Sequence, residues 1–448
     1  MLDRPLPVPR ACFPFPLAPR PTPAAMSTEA SPPPQPLPLA DIRIVAIEQY
    51  GAGPFATLQL AALGAEVLKI EDPRVGGDVG RYVLPFAEAG ESLFFETFNR
   101  NKRSLDLDVT NPAGREVLLD LVRHSDVVFS NLRGDVPEKL GITYAQLAHV
   151  NPKIVCCALT GYGTSGPRKA EPAYDYLIQG LAGWMSLTGE PGGPPTRTGL
   201  SLVDFATGFV AAIAILAGVH AARRDGIGMD CDVSLYETAL HLTTYPATWM
   251  LTTGYATGRT SRSAHPSLVP FENFPTADGW LTIGCAKEKF FPRLAQALGH
   301  PEWATDPRFA DFSARSAHRE ELEKLMDEVL QTRPATEWVE LLVDAGVPAA
   351  PVLDLAHAFD DPQAVERKVV EKTDHPRFGT VSAVRPPARV GPVAPEPRRA
   401  PDRNEAFAYV LHDLLGKDAS EVDGLRATGA FGPLGDRGNE PAPGAHAE

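Results

Sequence analysis

Between positions 42 and 159 the apolar residues switch repeatedly between a strand-like and a helix-like period, and this alternation restricts the fold more than any other feature. Ile42-Arg43-Ile44-Val45-Ala46-Ile47 is a short β run, Phe55 to Leu63 an apolar helix closed by Gly64, and Glu66-Val67-Leu68-Lys69-Ile70 a second strand. Asn111-Pro112 opens a further helix, with Asn as N-cap and Pro at the first helical position, that runs to about His124. Val127-Val128-Phe129 and Ile154 to Leu159 are two more strands, with a short helix before the second. Strand–helix–strand repetition requires a parallel sheet with helices on its faces, because each parallel return must cross over the sheet. The fold class is therefore α/β. Near Met229 the texture changes to a β run, a long helix through Trp249, a hairpin-like Gly279-Trp280-Leu281-Thr282-Ile283 and further helices. Residues 39–228 are read as a large domain, 229–350 as a smaller α+β domain, and 351–431 as a return to the first.

Residues 1–38 form a Pro-rich leader without the apolar core of a signal peptide, Met26 is a candidate start, and the Gly/Pro-rich tail from Gly432 to Glu448 is expected to be loose. The net charge of −14 argues against a general nucleic-acid binder, although a local basic pocket for a phosphorylated ligand is compatible with it. The five cysteines lack metal-ligand spacing; no metal site is expected, and adjacent Cys156 and Cys157 read as small buried hydrophobes in a reducing cytoplasm. Phe205 to Ala222, the longest apolar stretch, is interrupted by Thr207 and two glycines and ends in Arg223-Arg224, so it reads as a core helix and not a membrane span.

Gly51-Ala52-Gly53-Pro54-Phe55-Ala56 follows a strand and opens a helix, with Glu71 ending the next strand. It imitates a dinucleotide-binding fingerprint and makes an NAD-dependent oxidoreductase the first alternative. Pro54 speaks against it, since it removes a backbone N–H where the helix should face pyrophosphate. Three other stretches carry more chemistry: the glycine-rich loop Thr160 to Pro167, Pro172-Ala173-Tyr174-Asp175 opening a helix, and Pro195-Thr196-Arg197-Thr198-Gly199 leading to Asp204 at the head of the long apolar helix. Taken alone, Asp204 is an N-cap and Asp175 a first-turn acid. The same place suits a reactive carboxylate, which the positive end of the helix keeps ionised.

In order, Gly53-Pro54, Gly64 to Glu71, Asn99 to Leu105, Gly161-Tyr162-Gly163, Gly166-Pro167, Tyr174-Asp175, Gly183 and the Asp204 segment, then His265-Pro266, Pro270-Phe271, Phe274 and Asp278-Gly279, resemble the class III CoA-transferase family, which includes formyl-CoA transferase, carnitine CoA-transferase and α-methylacyl-CoA racemase. The resemblance covers roughly residues 40 to 395 and implies an interlocked homodimer whose subunits each hold a Rossmann-like large domain, built from both chain ends, and a smaller one. It implies a cytoplasmic enzyme with no tightly bound cofactor, coenzyme A being a co-substrate that moves from an acyl-CoA, such as succinyl-CoA, to a free carboxylic acid. Asp204 aligns with the nucleophile of the transferases. Tyr174 and Asp175 are expected substrate contacts; read from the residues themselves, Gly161 and Gly163 suit oxyanion donors and Arg197, seven residues before Asp204, suits a carboxylate clamp. Gly51, Arg74, Lys102, Arg103, Leu107, Asp108, Asn131 and Lys139 are the implied CoA contacts, Arg74 standing in for an arginine displaced by Asp72. The racemases place a His–Asp pair at Tyr174-Asp175; a phenol is a poor base at neutral pH, which favours transfer over racemisation. His265-Pro266-Ser267-Leu268-Val269-Pro270, where the formyl-CoA transferases carry a run of glycines, disfavours oxalate as acceptor.

Overall fold

The computed structural model describes residues 36–432; the expectations for the leader and the tail fall almost wholly outside them. Six strands form one parallel sheet: β1 (Arg43–Ile47), β2 (Glu66–Glu71), β3 (Arg103–Asp106), β4 (Val127–Ser130), β5 (Val155–Thr160) and β6 (Met229–Ser234), in the order β3-β2-β1-β4-β5-β6. This is the doubly wound order in which the chain reverses direction between β1 and β4, leaving a crevice beyond their carboxyl ends.

Each face is covered as the apolar pattern requires. Helix α1 (Ala52–Ala61) and the 24-residue α3 (Leu202–Asp225) lie on one face, where Ala56, Leu60, Ala211 and Ile215 pack against Ile44, Val67 and Val155. Helix α2 (Pro112–Arg123) and residues 406–431 cover the other, with Val117, Leu121, Phe407, Val410 and Phe431 against Val45 and Leu68. Asn111 caps α2 as the Asn-Pro signature specifies, its side chain accepting from Ala113 N–H at 2.9 Å. A separate core surrounds the antiparallel sheet of β7 (Phe271–Pro275), β8 (Trp280–Gly284) and β9 (Ala349–Pro351), with Phe274, Leu281, Phe291, Met326 and Trp338 buried.

Met229–Ser234, which the change of texture assigns to a second domain, is instead the outermost strand of the parallel sheet. An edge strand has one unpaired side, and here Asp230 and Asp232 alternate with less exposed residues, so it lacks the continuous apolar run of the inner strands.

Among the described residues α3 alone is long and apolar enough to cross a bilayer. It lies instead against α1 and β5, where a Cβ on Gly208 would meet Phe55 Cδ1 at 2.8 Å and one on Gly218 would meet Val155 Cγ1 at 2.8 Å. Those small residues allow the helix to approach the sheet closely, and this approach brings its first turn to the crevice.

Candidate active site

Two cavities of 290 and 480 Å³ open along the carboxyl ends of the strands and share Gln49, Leu132 and Val136 as walls. The larger is lined by Gly51, Asn131, Gly161, Tyr174 and Asp204; the smaller by Ile70, Arg74, Leu107, Val109 and Thr110. Together they make a groove with a polar end at Asp204 and an apolar end at Leu107.

The switch point is held by a reciprocal pair of bonds. Asn131 Oδ1 accepts from Gln49 N–H at 2.8 Å, and its Nδ2 donates to the Gln49 carbonyl at 2.7 Å. Gly53 makes room for this clip, since a Cβ there would lie 2.5 Å from Asn131 Cγ. The second glycine of the dinucleotide-like turn therefore accommodates a side chain of this protein, not a pyrophosphate.

Asp204 is the third residue of α3, not its N-cap. The cap is supplied from elsewhere: Asp175 Oδ2 accepts from Val203 N–H at 2.7 Å and from Asp204 N–H at 3.1 Å. Asp175 is itself buried, and Gln179 Nε2 donates to its other oxygen at 2.6 Å while Gln179 Oε1 accepts from Thr198 N–H at 2.9 Å. The Asp204 carboxylate is thus free of capping duty and lies against the start of α1, 3.5 Å from where a Gly51 Cβ would stand. Burial, with the neighbouring Asp175 charge, pushes its carboxyl up to about 7. The pull of the positive helix end is thus outweighed by burial and the like charge. A carboxylate of that basicity is still substantially ionised at neutral pH and is a stronger nucleophile than an ordinary one.

The implied CoA contacts divide. Gly51 and Asn131 line the larger cavity and Arg74 and Leu107 the smaller. Arg74 is held by Asp72 through Nη2–Oδ2 at 2.8 Å, and by Asp108 at 3.5 Å, so Asp108 serves the arginine. Lys139 pairs with Asp135 on the short helix that also carries Val136. Lys102 and Arg103 do not belong to the groove. Arg103 begins β3 and Lys102 directly precedes it, and the Lys102 side chain is completely buried, donating to Glu48 Oε1 at 2.7 Å and to the Pro54 carbonyl at 2.9 Å. Arg103 pairs with Glu66 at 3.1 Å and stacks on Tyr409.

Of the implied substrate contacts, Tyr174 is exposed on the cavity wall and Gly161 lies beside it. Gly163 N–H is spent on Thr160 Oγ1 at 2.7 Å, so it is not an oxyanion donor; its φ of +94° shapes the loop. Arg197 is absent from the cavity lining: it stacks on Tyr176 with Cζ 3.9 Å from the ring centre and donates to the Thr198 carbonyl. Sequence reasoning passed over Glu48, Lys69, Asp78 and Tyr50. Lys69 Nζ contacts Asp78 Oδ2 at 2.8 Å and the Glu48 carbonyl at 3.0 Å, a buried network that fixes the end of β1. A lysine inside an apolar strand was its only sequence signal.

A doubly wound sheet with a half-buried carboxylate at its switch point and an elongated groove leading to it is the architecture of an α/β enzyme that takes an extended ligand. Comparison with known proteins makes the class particular. Residues 39–406 match CoA-transferase family III. The succinate–glutarate CoA-transferase of Agrobacterium fabrum is 33% identical over 84% of this chain and 95% of its own. The acetyl-CoA:oxalate CoA-transferase of Acetobacter aceti is 36% identical over 72% of this chain and 82% of its own. The crystal structure of a CAIB/BAIF family protein from Brucella suis superposes with a TM-score of 0.74 at 33% identity, covering 85% of this chain and all of that one. The chain belongs to CoA-transferase family III, and it is a CoA-transferase.

Proposed function

We propose that the protein moves CoA from an acyl-CoA, succinyl-CoA among the candidates, to a free carboxylic acid through covalent intermediates on Asp204. A carboxylate oxygen of Asp204 attacks the thioester carbonyl, the C–S bond breaks, and CoA leaves as thiolate, giving a mixed anhydride. Thiolate attack on the aspartyl carbonyl releases the donor acid and leaves an aspartyl-CoA thioester. The acceptor carboxylate displaces the thiolate to form a second anhydride, and thiolate attack on its acyl carbon gives the new acyl-CoA and restores Asp204. Thioester energy survives only if water is excluded, which suits a carboxylate half-buried at the end of a groove. The observation that carries this reading is Asp204 itself: its carboxylate is free of capping duty, half-buried, and raised to about 7 beside Gly51.

The adenine end of CoA is assigned to the pocket of Leu107, Val109 and Thr110, with Arg74 and the cavity-lining Arg133 for the phosphates. The exposed apolar side of α3, where Ile213 is 67% exposed, is assigned to a second copy of the chain. Domain limits at 39–228, 229–350 and 351–431, and a cytoplasmic setting, belong to the same reading, with β6 moved to the large domain. Mass spectrometry of protein incubated with succinyl-CoA tests it. An adduct is expected on the peptide holding Asp204, and Asp204→Ala is expected to lose exchange by at least about a thousandfold. Exchange at the normal rate in that variant would falsify the proposal.

A further inference from the structure

Tyr50, between β1 and α1, forms part of the cavity wall, and the transfer steps above give it no role. Its φ is +66°, a left-handed conformation that a bulky residue seldom adopts. The fold enforces it. Tyr50 N–H donates to Asp78 Oδ1 at 2.9 Å, the same oxygen accepts from Gly80 N–H at 2.7 Å, and the other oxygen of Asp78 lies 2.8 Å from the buried Lys69 ammonium. Its ring rests on Phe94 with centroids 5.1 Å apart and meets Tyr174 edge-on at 6.4 Å.

Both tyrosines line the cavity that Asp204 closes, and both are partly open to it, at 41% and 63% exposure. Among the described residues neither phenol hydroxyl has a protein partner, whereas Arg197, the expected clamp, is engaged with Tyr176. Burial, Tyr174 and Asp204 all raise the Tyr50 phenol, so it keeps its proton and is a donor at neutral pH. A non-glycine residue held in an unfavourable backbone conformation by a buried ion pair, at a site of chemistry, is the usual mark of imposed positioning.

Resting on the aspartyl reading above, we infer that Tyr50 is a specificity residue: with Tyr174 it presents paired phenol donors to an oxygen-bearing acyl chain beside Asp204, and so selects dicarboxylic acids over alkyl acids of equal length. A site built to hydrogen-bond a substrate rejects the analogue lacking that group, because its own polar atoms are then left unpaired.

The test uses the full chain, succinyl-CoA as donor, and glutarate or pentanoate as acceptor, acids of the same length. Wild type is expected to favour glutarate. Tyr50→Phe, which removes one hydroxyl, is expected to raise KM for glutarate by about tenfold with kcat little changed, and to leave kcat/KM for pentanoate within about twofold. Tyr50→Gly, which adopts the same φ without strain, is expected to lose the same discrimination while remaining folded. The inference is overturned if wild type does not distinguish the two acids, or if Tyr50→Phe slows both equally or neither. Mass spectrometry of wild type and Tyr50→Phe separates the two layers. No adduct on Asp204 in either protein sinks the underlying reading; an adduct in both with unchanged selectivity sinks only the role of Tyr50.

Discussion

At the scale of single residues, Asp175 both holds and tunes Asp204. Its oxygen caps two N–H groups at the start of α3, and its charge adds to burial in raising the Asp204 carboxyl to about 7. If the attacking species is the carboxylate, exchange rises as pH increases through about 7. Asp175→Asn removes a negative neighbour while keeping an acceptor, so the acid limb of the kcat/KM profile is expected to move to lower pH. A limb that stays in place or moves upward contradicts this role. Lys102 makes the opposite case, a residue whose chemistry changes with burial. Burial lowers its ammonium to about 8 despite Glu48, and removing one partner of such a pair costs about 3–5 kcal/mol. Lys102→Met is expected to lose stability toward the lower end of that range in urea unfolding, since Lys69 still faces Glu48 at 3.8 Å. KM for acyl-CoA is expected to stay within about twofold, in contrast to the effect of removing a phosphate contact. Nothing within the segment Asn99 to Leu105 distinguishes a lysine that turns inward from one that meets solvent; the distinction lies with Glu48, 54 positions away.

At the scale of elements, the groove depends on close approaches that only glycine permits. A methyl on Gly53 would strike Asn131 and open the clip between the ends of β1 and β4. Gly53→Ala is therefore expected to destabilise the protein by about 1–3 kcal/mol and to weaken acyl-CoA binding. A lowered denaturation midpoint together with a raised KM checks it; a change in stability alone would mean that the clip does not shape the groove. The elements themselves were largely legible. The inner strands are continuous apolar runs and Asn111-Pro112 marks its helix start, whereas α1 ends at Ala61 and Gly64, at φ +104°, serves the turn that follows it. Strand β6 was misassigned because its outer side has no partner, so its polar alternation resembles that of a solvated antiparallel strand. Asp204 was read as a cap because a capping side chain is a local signal, while the actual cap comes from Asp175, 29 positions earlier.

For the whole molecule, α3 has one face on the sheet and another that exposes Phe209, Val210 and Ile213. A helix apolar all round must be covered all round. If a second copy covers it, Ile213→Glu is expected to convert a dimer to monomer in sedimentation and to lower exchange activity with it. A wild-type chain that sediments as a monomer and is fully active contradicts this arrangement.

By itself the chain's order of residues determined the α/β class, the succession of strands and helices, and the family to which the segments from Gly53 to Gly279 point, because each depends on neighbours within a few positions. Only the tertiary structure decided which charged groups face the groove, how the Asp204 side chain is freed from capping and made basic, and why Tyr50 takes a left-handed backbone. Those properties arise between groups distant in sequence, through burial and charge, and become defined only when the sheet brings Glu48, Asp78, Asp175 and Asp204 to the same end.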